Sequence, residues 1–285
     1  MRQLPDWLKK RVPLNKNVQL TKDLLEKKQV NSVCHNAICP NLGECYAKKV
    51  ATFLVMGTVC TRNCNFCAVT KGTPEPPQAD EPQRLAEVVQ DLDLQHVVIT
   101  SVTRDDLHDG GASHFLNCIK AIRDILPDVI IEILTPDFLG NKKAINTLAN
   151  TQLNIFNHNL ETVPRLYPKV RPQANYQRSI SLLAQVKSEN SSIYTKSGLM
   201  VGLGETFAEI EAVLRDLKEV NCDFVTIGQY LQPSSLHLQV EEYIHPETFK
   251  KYQLVGEKMG FKNIAAAPFV RSSYNAQEFF HEYNN

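Results

Sequence analysis

From Ala51 to Gly260, short apolar runs take turns with amphipathic helical stretches, and this alternation constrains the fold more than any other feature of the chain. The strand candidates are 51–57, 96–102, 129–134, 153–156, 197–201 and 224–227. Their near-continuous hydrophobicity is that of strands buried on both faces, as in parallel sheets. Between them, 84–92, 112–126 and 205–220 carry apolar residues at three- and four-residue spacing, and Phe207, Ile210, Val213, Leu214 and Leu217 make one stripe. Pro246 opens a last helix and Gly260 closes it. Consecutive strand–helix units with right-handed crossovers build a parallel sheet. Six such units fall short of the eight of a closed barrel, so the expected fold class is α/β, an incomplete (β/α)6 parallel barrel. Working residues should then sit on the loops after the strand C-terminal ends. Residues 1–50, polar and weakly periodic, read as an N-terminal extension, 51–260 as the partial barrel, and 261–285 as a C-terminal segment. The stretch Lys71 to Pro77 is a proline-rich connector, and no internal repeat interrupts the pattern.

Six of the eight cysteines fall in two triads, Cys34, Cys39 and Cys45, then Cys60, Cys64 and Cys67. The second triad is a CxxxCxxC loop directly after the first strand, at the expected barrel mouth. Three thiolates on one short loop can each hold one iron of a four-iron cluster, leaving the fourth iron open to chemistry. A zinc knuckle would want four ligands, usually in pairs. A plain ferredoxin uses a tighter four-cysteine run in a smaller chain. The first triad, spaced by four and then five residues, suggests a second cluster. Cys118 lies inside a helical stripe and Cys222 at a helix–strand junction, and both read as small buried hydrophobes. The eight histidines form no metal-ligand pair of recognisable spacing.

Bulk properties narrow the function classes. The 31 basic residues balance the 31 acidic ones, so net charge recruits neither nucleic acid nor an anionic membrane. No apolar stretch approaches the roughly 20 residues of a membrane span. The start, Met1 to Leu8, lacks a signal peptide's apolar middle, and the expected compartment is a reducing cytoplasm in which cysteines ligate metal and do not pair.

The Cys60 loop resembles that of the radical S-adenosylmethionine (SAM) superfamily. The Cys34–Cys45 pattern, Thr100 to Leu107, Phe156 to Tyr167, Thr195 to Glu205, Gly228 to Pro233 and Arg271-Ser272-Ser273-Tyr274 together resemble the lipoyl synthase family, over roughly residues 30–280. The resemblance implies two 4Fe-4S clusters and SAM as cofactors. Cys60, Cys64 and Cys67 would hold the cluster whose open iron is chelated by SAM, and one electron would then release a 5′-deoxyadenosyl radical. Cys34, Cys39 and Cys45 would hold an auxiliary cluster whose fourth ligand is a serine oxygen, assigned to Ser273 with Ser272 as the fallback. An oxygen beside thiolates is a weak partner for such iron, which suits a cluster opened during turnover. Arg271 would support that ligand, although the same four residues also read as a turn cap.

For SAM itself the resemblance points to Phe66, Thr100, Ser101, Asn159, Glu161 and Met200. Gly198, Met200, Gly202 and Glu205 match a GxIxGxxE strand with methionine at the isoleucine position, and the glycines permit close backbone approach. Phe66 equally suits a core position, strand-end polar residues are often caps, and His35 and His158 suit scaffold roles. The implied activity is insertion of two sulfur atoms at C6 and C8 of a protein-bound octanoyl-lysine, with the auxiliary cluster as sulfur donor. The implied partners are an octanoylated lipoyl-carrier domain or H-type protein, and an electron donor such as ferredoxin or flavodoxin. A biotin-synthase-like sulfur insertion is the enzymatic alternative, and a two-cluster electron carrier or zinc module the non-enzymatic one. The chain departs from the family at Ser234 to Glu242, less basic than usual, and at Asn275. Those departures bear on the protein substrate and leave the cluster ligands untouched.

Overall fold

The computed structural model describes residues 4–9, 16–273 and 276. It contains two compact units, one of residues 12–62 and 69–156, the other of residues 1–11, 63–68 and 157–285.

The first unit runs α1 (Lys16–Lys27), β1 (Asn31–Ser32), α2 (Val33–Asn36), α3 (Leu42–Ala47), β2 (Thr52–Val55), β3 (Val59–Cys60), β4 (Thr70–Lys71), α4 (Glu81–Asp91), β5 (His96–Ser101), α5 (Ala112–Ile125), β6 (Ile130–Leu134) and α6 (Lys142–Ala149). The chain leaves it through β7 (Ile155–Asn157). The main strands lie in the order β1-β2-β5-β6-β7. β2 pairs in parallel with β5 (Thr52 opposite Val98), and β5 with β6 (His96 opposite Ile130). Phe53, Val97, Ile99, Ile131 and Ile133 are buried, as are Leu85, Val88 and Val89 of α4 and Phe115, Ile119 and Ile122 of α5. The apolar runs and helical stripes of the sequence thus meet in one core. Removing each of those side chains from water is worth roughly 1.5–3 kcal/mol.

In the second unit come α7 (Tyr167–Val170), α8 (Tyr176–Glu189), β8 (Tyr194–Val201), α9 (Phe207–Glu219), β9 (Phe224–Gln229), α10 (Pro246–Met259) and β10 (Asn263–Ala266). β8, β9 and β10 are neighbours in that order and parallel. The stripe of α9 is buried at Ile210, Val213, Leu214 and Leu217, and Thr206 and Glu209 close a reciprocal capping box at its start. Pro246 opens α10, and Gly260 ends it in the left-handed region, at φ 80°.

The extension before Ala51 is more ordered than weak periodicity suggests. α1 packs on α3, and β1 pairs antiparallel with β2. α6 starts where the Asn141 side chain accepts the Ala144 N–H, a cap rather than a periodicity signal. β10 is too short and alanine-rich to announce itself, and it is a strand because Asn263 to Ala266 pair with Phe224 to Ile227. Among the described residues, no helix is long and apolar enough to cross a membrane.

Candidate active site

The first cysteine triad lies within the first unit. Ser32 caps α2 by accepting the Cys34 N–H (3.1 Å), and a turn through Ile38, in the left-handed region at φ 53°, returns the Cys39 N–H to the Cys34 carbonyl (3.0 Å). Cys45 follows on α3, where its N–H donates to the Asn41 carbonyl (2.9 Å). Tyr46, buried, is the common neighbour. Burial pushes its phenol up to about 12, a hydrogen bond with Ser32 works the other way, and the charges of Cys34, Cys45 and Cys39 add to the rise. α1 holds this tyrosine's turn, since the Thr21 hydroxyl donates to the Tyr46 carbonyl (3.1 Å).

The second triad begins at Cys60, the last residue of β3, the short strand that follows β2. The Cys60 sulfur accepts backbone N–H groups from Thr103 (3.3 Å) and Arg62 (3.5 Å). Arg62 is buried and binds Asp105 through two nitrogens (2.6 and 2.9 Å) and Asp137 through one (2.5 Å). Burial works against its charge, but the hydrogen bonds of Asp105 and Asp137 prevail and hold the guanidinium protonated. Nearby, the Thr100 hydroxyl donates to the Leu134 carbonyl (2.9 Å), while the Ser101 hydroxyl is buried with no hydrogen-bond partner.

Cys64, Phe66 and Cys67 belong to the second unit and are half-buried there. The Asn65 N–H donates to the Val170 carbonyl (2.9 Å), the Asn65 amide to the Lys169 carbonyl (2.8 Å), and the Leu238 N–H to the Asn65 carbonyl (3.1 Å). His237 Nε2 lies 3.1 Å from the Cys67 carbonyl, and its Nδ1 is 2.9 Å from the Ser234 hydroxyl. The Ser234–Glu242 stretch, where the sequence departs from the family it resembles, thus also grips the second half of the cysteine loop. No local pattern marks His237 for this, because its partner is 170 residues away.

The same unit gathers Asn159, Glu161, Met200, Arg271 and Ser272. Arg171 donates to the Asn159 and Leu160 carbonyls (2.8 and 3.1 Å), and the Met200 N–H to the Glu161 carbonyl (2.8 Å). The Asn159 amide donates to Glu161 (3.0 Å) and to the Ser272 hydroxyl (2.8 Å), while its oxygen is buried with no hydrogen-bond partner. Gly198 makes room for that amide, since a Cβ there would lie 2.7 Å from the Asn159 oxygen. Burial pushes the Glu161 carboxyl up, opposed by Arg171, by the Asn159 hydrogen bond and by Arg271. Glu205 accepts the N–H groups of Gly202 (2.5 Å) and Leu203 (2.9 Å), so it shapes the turn after β8. The C-terminal motif is seated on β9, where a Cβ on Gly228 would lie 2.0 Å from the Val270 carbonyl oxygen and 3.0 Å from the Arg271 guanidinium. Ser273 is half-buried, and Tyr274 and Asn275 lie outside the described residues.

Cys118, Cys222 and His158 behave as scaffold. Burial pushes the Cys222 thiol up to about 12 and raises Cys118 as well, so both stay protonated. His158 bonds the Ser179 hydroxyl inside the core (2.9 Å), and His35 is exposed. Among the described residues, no three His, Cys, Asp or Glu side chains close on a single metal-ion position. That is a requirement of mononuclear zinc, and not of a cluster that takes each thiolate at a separate iron. The donor sets suit such clusters, and within the second unit the unpartnered Asn159 oxygen suits a polar ligand.

Comparison with known proteins agrees with this chemistry. Residues 54–217 match the radical SAM superfamily, whose members use SAM with a 4Fe-4S cluster. The crystal structure of Streptococcus suis SuiB bound to S-adenosylmethionine is similar in fold (TM-score 0.60, 14% identity, 79% of this chain and 53% of that one). The chain therefore spans about half the length of that protein, and the likeness supports the incomplete α/β barrel alone. A lipoyl synthase of Caldanaerobacter subterraneus subsp. tengcongensis is 53% identical over 272 residues, 95% of each chain. One of Caldicellulosiruptor saccharolyticus is 52% identical over 274 residues, 96% of each. Two cysteine triads, a strand-end loop and identity above one half along nearly the whole chain lead to one conclusion: this chain is an enzyme that belongs to the lipoyl synthase family of the radical SAM superfamily.

Proposed function

We propose that the enzyme inserts two sulfur atoms, at C6 and C8, into an octanoyl chain carried on a lysine of a lipoyl-carrier domain or H-type protein. Cys60, Cys64 and Cys67 hold the cluster that binds SAM, and Cys34, Cys39, Cys45 and Ser273 hold an auxiliary 4Fe-4S cluster. When bound, the first cluster with SAM supplies the radical that takes a hydrogen from each carbon, and the second supplies the sulfur. The observation that supports the reading is that α2, the turn after it and α3 fold Cys34, Cys39 and Cys45 into one short segment around the buried Tyr46, a second cysteine triad in addition to the superfamily's own. The proposed division is an auxiliary-cluster extension over 1–50, the partial barrel over 51–260, and the serine-ligand segment over 261–285. A ferredoxin or flavodoxin supplies electrons, in the reducing cytoplasm that such clusters need.

The chain's own residues do the rest. Asn159 and Glu161, with Met200 and Phe66, orient SAM, and Ser101 offers it a hydroxyl. Thr100 holds the strand end from which that hydroxyl projects. The Asn159 amide holds the Ser272 hydroxyl, and Ser273 is the serine assigned to iron, supported by Arg271. Asn159→Ala should weaken SAM binding about tenfold or more, the effect of removing a hydrogen bond to a charged group, as read by equilibrium binding to the reconstituted enzyme.

The deciding experiment compares Cys39→Ala with Ser273→Ala under anaerobic turnover on an octanoyl-lysyl peptide. Cys39→Ala should still cleave SAM and yield no thiolated product. Ser273→Ala should assemble both clusters on the remaining thiolates and lose turnover. Full lipoyl product from either variant removes that residue from the sulfur-donating site.

A further inference from the structure

We propose that Arg62 is a positioning residue for the SAM-cluster loop: clamped between Asp105 and Asp137, it fixes the Cys60 sulfur under two backbone N–H groups and so sets the reduction potential of the cluster held there. The proposal rests on the reading that Cys60, Cys64 and Cys67 ligate that cluster.

The clamp ties three segments far apart in sequence. Arg62 comes two residues after Cys60, Asp105 follows the end of β5, and Asp137 follows the end of β6. The Arg62 side chain is 3% exposed and Asp137 fully buried, whereas Asp105 is 24% exposed. Asp137 is itself fixed, since its carboxylate also accepts the Leu139 N–H (3.1 Å). A guanidinium presents several N–H groups in a rigid fork, which lets one side chain engage two carboxylates at once. An ammonium on a flexible stem keeps the charge and loses the fork.

The clamp is stitched to the cysteine. Thr61 donates its N–H and its hydroxyl to the Thr103 carbonyl (3.1 and 2.9 Å), and its hydroxyl accepts the Asp105 N–H (3.1 Å). The N–H of Thr103, on the same stretch as Asp105, then points at the Cys60 sulfur, joined by the N–H of Arg62 itself. Each N–H dipole aimed at a cluster thiolate favours the more negative, reduced cluster, and hydrogen bonds to sulfur are among the levers that tune these potentials. The burial of Arg62 and Asp137 has a cost that two carboxylates and one fork offset. A surface loop with no geometric task would not carry it.

Arg62→Lys and Asp105→Asn test the idea in the full-length reconstituted enzyme. The readouts are iron content, the potential of each cluster by spectroscopic titration, and 5′-deoxyadenosine formation. Arg62→Lys should keep its iron, lower the potential of the SAM cluster alone, and slow SAM cleavage about tenfold or more, the size of effect seen for outer-shell partners of metal ligands. Asp105→Asn should shift both in the same direction by less, and it decides the matter if Arg62→Lys does not fold. Wild-type potential and cleavage rate in the folded variants would overturn the proposal. Cys60→Ala separates it from its premise. If that variant keeps full iron and cleavage, the ligand assignment fails and the proposal with it. If it loses the cluster while the clamp variants behave as wild type, the clamp alone is refuted.

Discussion

On the proposed ligand sets, Cys64→Ala is expected to abolish 5′-deoxyadenosine formation and to lower bound iron from about eight to about four per chain, the difference of one four-iron cluster. The expectation follows from the loop. Cys64 is the middle cysteine of the CxxxCxxC triad, and Asn65 beside it is anchored to Val170 and Leu238, which fixes the loop at that position. The two cysteines outside the triads, one in α5 and one in the turn before β9, are buried and protonated and cannot substitute. The auxiliary cluster proposed on Cys34, Cys39 and Cys45 should survive with its spectrum intact, because those cysteines sit on α2, α3 and the turn between them. Cleavage of SAM at the wild-type rate would show that the superfamily chemistry runs elsewhere in the chain. Anaerobic reconstitution, iron analysis and product detection by mass give the answer in one preparation.

Gly228→Ala has the next largest expected effect, with a different signature. The new Cβ would lie 2.0 Å from the Val270 carbonyl oxygen, so either β9 or the Val270–Ser273 segment must move. β9 is buried and paired on both edges, with β8 and with β10, and yields less readily than a chain end. The segment should lift, break the Ser272–Asn159 hydrogen bond, and carry Ser273 away from its proposed iron. Overpacking of this kind costs about 1–3 kcal/mol of stability, a modest loss for a core of this size. Sulfur insertion, by contrast, should fall to background while SAM cleavage continues without product. A variant that thiolates normally would mean that the C-terminal motif needs no seat on β9. Hydrogen exchange over residues 264–273 reports the displacement independently of activity.

Two residues make the contrast between these variants informative. Cys64 could be chosen from its spacing alone, because a CxxxCxxC loop after an apolar run singles out its own candidate ligands. Nothing around Gly228 announces a steric role. It stands in a strand with an ordinary backbone conformation, and its importance lies in an oxygen that arrives from 42 residues further on.

What the chain determined by itself is whatever acts over a few residues. Alternating apolar runs and helical stripes specify parallel strands and covering helices, and β2, β5, β6, β8 and β9 lie where those runs predict them. The cysteine spacings and the motifs that resemble the family are covalent facts, and identity with curated relatives bears out the family. α6 and β10 escaped because a side-chain cap and a strand partner, not periodicity, define them. Only the tertiary structure decided which distant groups meet. Arg62 finds Asp105 and Asp137 across 43 and 75 residues, His237 finds Cys67 across 170, and Ser272 finds Asn159 across 113. A hydrogen bond requires its atoms within about 3.5 Å. Local propensity carries no information about such approaches, because they are set by the crossovers that return each strand end to the same face of its sheet.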